Sequence, residues 1–198
     1  MTSEQWVEAF WQSLAENREK ANMGEYFRRS SKWTELMVED VLKKGIGKRT
    51  NCQVSCISHD KMIKEKNSEY LTIDAMFFNE NDYKTKNRKG YDPFVLPTVV
   101  VEHENMGTGE DKICFCLWKL MCIRAGLRVL ICYSDSVKGL KKQLEDTMQE
   151  GNLAKNLMGD LIVIVGDLRL DDKLWNDTED LKNYFHILKW EDNKLIRQ

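Results

Sequence analysis

Three carboxylates stand in segments that otherwise read as buried strand. Asp74 lies within residues 71–78 (LTIDAMFF), and Glu102 and Glu104 close residues 96–104 (LPTVVVEHE). An unpaired carboxylate buried in a protein costs several kcal/mol, so acids in such runs need a reason. Side chains alternate along a strand, which puts Glu102 and Glu104 on one face and His103 on the other. Two acids about 7 Å apart on one face repel unless a cation lies between them or one is protonated. With Asp74 from a neighbouring strand, three acids would surround one point. Oxygen ligands of this kind suit Mg²⁺ or Mn²⁺, whereas zinc would recruit histidine or cysteine. Taken singly, each acid also reads as a strand-end group facing water or paired with Lys84, Lys86, Arg88 or Lys89. The combination, an aspartate separated by 27 residues from E-x-E, is what points to a metal.

These acids require particular elements to hold them. Trp6, Phe10, Trp11 and Leu14 recur at helical spacing behind Ser3 as a cap. A second helix is expected over residues 31–44, stopped by Gly45. Residues 51–58 (NCQVSCIS) and 69–78 (EYLTIDAMFF) read as an antiparallel hairpin. Val99, Val100 and Val101 in succession indicate a central strand covered on both faces. Residues 111–125 form a helix apolar almost all round, followed by a strand at 127–133, an amphipathic helix at 137–150 and a strand at 160–165. Alternation of strand and helix there implies right-handed crossovers and a parallel segment of sheet. The tail, with YFHILKW and KLIRQ around residues 191–193, reads as a final hairpin. The expected fold is α/β: a mixed central sheet, with an antiparallel hairpin followed by parallel crossover strands, flanked by helices. A single domain over 1–198 is expected, with N-terminal helices (1–46), a core (31–166) and a C-terminal extension (167–198).

An acid in a hairpin strand, a loop, an apolar strand ending in E-x-E, a buried helix and a further strand resemble the PD-(D/E)XK superfamily of restriction-endonuclease-like nucleases. The resemblance covers about residues 31–166 and rests on where a short motif falls in the element order. It implies an αβββαβ core, with Asp74 matching the motif aspartate, Glu102 the acidic position and the His103 carbonyl a further metal ligand. Glu104 stands where the superfamily usually has lysine, and some members are similar in using E-x-E. Two readings of the general base stay open. Either Glu104 orients the attacking water, or Lys119, the odd charge on an apolar helix, takes the lysine's place. The bland alternative has Lys119 snorkelling to solvent. The superfamily's helical glutamate would be Glu35, with Glu39 on the same face.

The implied activity is metal-dependent hydrolysis of a phosphodiester in nucleic acid, DNA foremost, with Mg²⁺ or Mn²⁺ as cofactor. Lys84, Lys86, Arg88 and Lys89, and likewise Lys61, Lys64 and Lys66, would clamp phosphates or simply be solvated. A homodimer would suit cutting of both strands. The competing class is an inactive nuclease-like fold that binds nucleic acid or protein.

Bulk properties agree with a globular chain: 42% hydrophobic, 31% charged, net charge −2. No global basic field announces a polyanionic ligand. Glu4 and Glu8 interrupt any leader-like run, and no apolar stretch reaches the ~20 residues that span a bilayer. A cytoplasmic protein with reduced thiols is expected, with Cys52 and Cys56 the only cysteines spaced like a metal pair. Gly107-Thr108-Gly109 lacks the residues of a phosphate loop and reads as a turn capped by Thr108.

Overall fold

The described residues build one mixed sheet of seven strands whose spatial order is the order of the sequence. A computed structural model describes residues 1–23, 31–56, 73–79, 95–105, 110–170 and 174–198. The lysines expected to clamp phosphates (61, 64, 66, 84, 86, 89, with Arg88) and the 107–109 turn lie outside these residues. Strands β1 (Cys52–Cys56) and β2 (Ala75–Asn79) pair antiparallel. β2 pairs antiparallel with β3 (Val99–Glu104), Ala75 lying opposite Val101. β3, β4 (Leu127–Ser134) and β5 (Asp160–Asp167) are parallel. β6 (Phe185–Glu191) and β7 (Lys194–Arg197) pair antiparallel beyond β5, a second antiparallel edge. Asp192 and Asn193, at φ 48 and 63, make the two-residue turn between them, a conformation their short polar side chains tolerate. The mixed α/β architecture expected from the sequence is therefore the one observed.

Alternation along the strands gives the sheet two apolar faces. One buries Val99, Val101, Val129, Ile131, Ile162 and Ile164 under α1 (Ser3–Glu16), α2 (the continuous helix of residues 31–49) and, at its edge, a short helix near the C-terminus. The other buries Val100, Leu130, Val163 and Val165 under α3 (Glu110–Met121) and α4 (Val137–Glu150). Val99, Val100 and Val101 are all fully buried, as a strand covered on both sides requires.

Two helix boundaries differ from expectation. Thr2, not Ser3, caps α1, closing a reciprocal box with Gln5. Gly45 does not end α2, which runs as α-helix over Ser31–Glu35, widens to a π-helix over Leu36–Ile46 and returns to α-helix at Gly47–Arg49. Gly45 serves packing instead: a Cβ there would collide with the Ser13 side chain, so its absence lets α1 lie against α2.

α3 is held by a buried cation. Arg128 on β4 is 2% exposed and donates Nε to Leu120 O (3.0 Å), Nη2 to Ile123 O (2.5 Å), and Nη1 to Ala125 O (3.0 Å) and Met158 O (2.6 Å). These carbonyls include those left over where α3 ends, and a cation suits that end of a helix. Truncation would strand several buried acceptors at once. Arg128→Met should lower unfolding free energy by roughly 3 kcal/mol or more. A urea titration of the variant with an unchanged midpoint would refute this account of α3.

Candidate active site

β3 and the residue preceding β2 bring the key acids together. Continuing the antiparallel register by one rung places Asp74 across from Glu102. Asp74 accepts a hydrogen bond on Oδ2 from the His103 backbone N–H at 2.7 Å. Its side chain is thereby tied to the backbone between the two glutamates. Glu102 belongs to the sheet face covered by α3 and is only 2% exposed.

Lys119 reaches this carboxylate from α3. Its Nζ lies 2.6 Å from Glu102 Oε2, and the residue is buried rather than snorkelling. Glu102 Oε1 is buried without a hydrogen-bond partner among the described residues. Burial raises the Glu102 pKa to about 7, and the charge of Asp74 adds to the rise while Lys119 opposes it. Burial alone would lower the Lys119 ammonium, but the hydrogen bond and charge of Glu102 outweigh it and hold it above its ordinary value. Burial and the Glu102 charge together push the neighbouring Cys116 thiol up, so it stays protonated.

Glu104 lies two residues beyond Glu102 along β3. It is opposite Cys132 in the parallel register, and its charge is felt by the Cys116 and Cys132 thiols. Among the described residues no three His, Cys, Asp or Glu side chains converge as a metal-holding group. Asp74 and Glu102 are thus a pair, and Glu104 is the next same-face residue about 7 Å along the strand.

His103 turns to the opposite face, as alternation predicts. Its Nε2 is 2.9 Å from Tyr133 Oη, which accepts a 2.7 Å hydrogen bond from Trp33 Nε1 on α2. Trp33 can only donate, so the Tyr133 hydroxyl can donate onward to the imidazole. Complete burial depresses the His103 pKa to about 3, so the ring is neutral. Its side chain is structural, and what it offers the site is its backbone.

α2 also meets the end of β3, where the Asn105 side chain donates to Thr34 Oγ1. Glu35, the next residue, is 60% exposed and pairs with Lys32 at 3.3 Å. Glu39 pairs with Lys43 at 3.1 Å. The structure therefore brings Asp74, Glu102, His103 and Lys119 together, with Glu104 nearby, and leaves Glu35 facing solvent.

One buried acid was not singled out from sequence. Asp167 ends β5, is 3% exposed, and takes a forked ion pair from Arg169, Nε to Oδ1 at 2.8 Å and Nη2 to Oδ2 at 2.5 Å. An acid closing the run DLIVIVGD was the available signal, the same anomaly that exposed Asp74. Its charge is neutralised locally by the turn that follows the strand. Comparisons of the chain with protein-family models, curated proteins and solved structures find no match.

A pH signature follows from Glu102. Its proton is held more tightly in the folded chain, at about 7, than at the ordinary 4.5. Between those values the folded state binds more protons than the unfolded one, so stability is highest below this window and falls as pH rises through it. The fall should be on the order of 3 kcal/mol. Glu102→Gln should flatten that slope, although stranding Lys119 lowers its stability at every pH. Urea midpoints taken across the window in both proteins check this, and equal slopes would remove Glu102 as the source.

Proposed function

We propose that this chain is a metal-dependent phosphodiester hydrolase of nucleic acid, an endonuclease on the PD-(D/E)XK plan with DNA as the favoured substrate. The observation that carries the reading is the Asp74–Glu102–Lys119 constellation, with Lys119 Nζ 2.6 Å from Glu102. It lies toward the carboxyl end of β3, where a strand begins the parallel half of the sheet. Carboxyl ends of parallel strands are the usual place for ligands in open α/β sheets. The element run α2, β1, β2, β3, α3, β4 supports the αβββαβ core. The ammonium that the superfamily's motif carries on the strand is supplied here from the following helix.

The residues fit a hard divalent cation. Mg²⁺ typically takes one or two carboxylates, keeps several waters and uses substrate phosphate oxygens for the rest. Asp74, Glu102 through its unpartnered Oε1, and the His103 carbonyl would hold it. Such an ion supplies Lewis acidity at the phosphoryl oxygen and a more acidic attacking water.

The protein's own groups divide the remaining work. Lys119, raised above its ordinary pKa, stays protonated; it holds Glu102 Oε2 and offers positive charge to the phosphoryl group as negative charge develops. It is therefore a poor base. Glu104, half-buried on the same face, is the group left to orient water. The peptide of His103, fixed by Asp74 on one side and Tyr133 on the other, keeps the ligand geometry from drifting. Lys84, Lys86, Arg88 and Lys89 supply phosphate contacts in this reading. Among the described residues no helix is long and apolar enough to cross a membrane.

Calorimetric titration with Mn²⁺ should show binding to the wild type and none to Asp74→Asn. Supercoiled plasmid should be nicked with Mg²⁺ and spared with EDTA, and Lys119→Met should slow nicking by about a hundredfold or more. Absent heat, or heat unchanged in Asp74→Asn, defeats the proposal.

A further inference from the structure

The outward surface of α3 carries two large aromatic side chains that the site as described does not use. Phe115 and Trp118 are 56% and 43% exposed. Their rings are stacked on each other, with centroids 5.5 Å apart and planes 21° from parallel. At i and i+3 they share one face of the helix. The platform borders the candidate site directly, since Lys119 Nζ is 5.8 Å from the Phe115 ring centroid and 2.6 Å from Glu102 Oε2.

We propose that Phe115 and Trp118 stack an unpaired base of the substrate beside the reacting phosphate, so that the preferred substrate is single-stranded nucleic acid. This rests on the hydrolase reading and names its substrate class. A flat aromatic face accepts any base, which gives sequence-tolerant affinity for single strands. A duplex keeps its base faces inside its own stack and has none to offer. The overall charge of −2 provides no global attraction for phosphates, so contacts to bases matter more here than in a strongly basic protein. The start of the helix, Glu110-Asp111-Lys112, carries no excess of positive charge to attract phosphates, which leaves the rings as its distinctive chemistry.

Fluorescence anisotropy with a labelled short oligothymidylate, its abasic counterpart and a blunt duplex tests this, with EDTA present so that binding is read apart from cleavage. Wild type should bind the oligothymidylate at least about fivefold more tightly than the abasic strand. Phe115→Leu/Trp118→Leu, which keeps apolar bulk but removes the rings, should erase that difference and leave duplex binding unchanged. Trp118→Phe should preserve most of it. If the double variant binds all three probes as wild type does, the stacking role is overturned. Plasmid nicking that survives in that case leaves the hydrolase reading standing. Should the wild type instead dimerise in sedimentation and the double variant not, the platform is an interface between copies and the inference also fails. A wild type that neither binds nor cuts nucleic acid overturns both.

Discussion

The contact on which the site depends is the ion pair between Glu102 on β3 and Lys119 on α3. Both partners are withdrawn from water, and bringing two charges into such a place consumes much of what their attraction returns. A leucine and a methionine could fill the same volume without that cost. The pair is therefore a weak reason for stability and a strong constraint on position. It couples the strand bearing the acids to the helix covering them, and any shift of α3 leaves a buried carboxylate without its counter-charge. Arg128 fixes the same end of the helix by gathering carbonyls at and beyond its last turn, the turn that carries Lys119. With both cations acting at that end, the last turn of α3 has little freedom to slide, and the position of Lys119 follows.

The second anchor comes through the sheet. His103 sends its ring to the α2 side, into hydrogen-bonding distance of Tyr133, which in turn bonds Trp33. Trp33 packs edge-on against Trp175 as well as Tyr133, within the aromatic core that α1 and α2 share with the sheet. A single residue step along β3 thus converts a polar site on one face into a rigid aromatic cluster on the other. Because Asp74 is bonded to the His103 amide, both acids are referred to the same piece of backbone. Preorganisation of this kind is what lets charged groups act without rearranging.

Much of this was legible in the residues themselves. Three valines followed by E-x-E imposed a central strand with its glutamates on one face, and period-two alternation alone assigned His103 to the other. The antiparallel-then-parallel order followed from segment lengths between apolar runs. The pairing of Lys119 with Glu102 is different in kind. Helical periodicity could mark Lys119 as anomalous among apolar neighbours, but whether it snorkels or turns inward depends on the rotation of α3, set by tertiary packing. Arg128 was invisible for a related reason, since its partners are backbone carbonyls that carry no side-chain signature. Gly45 was misread because a glycine that ends a helix and a glycine that admits a neighbouring helix look the same in one dimension. Of the two helical acids, Glu35 faces solvent and Glu39 is partly buried, and each is paired with a lysine of its own helix.

Charge arithmetic at the site gives the proposed chemistry its direction. Asp74 and Glu102, when ionised, contribute two negative charges and Lys119 one positive, so these three groups carry one net negative charge among themselves. A phosphodiester, itself an anion, would be repelled by such a cluster. The same imbalance is visible in Glu102, whose carboxyl holds its proton to about 7 because one ammonium does not offset burial and a second carboxylate. A divalent cation among these groups would reverse the sign, making the cluster attractive to the substrate and releasing the Glu102 proton as it is bound. A purely structural ion pair would be served by one acid and one base. The second carboxylate, tied to the His103 backbone N–H, is the feature a single ion pair does not require.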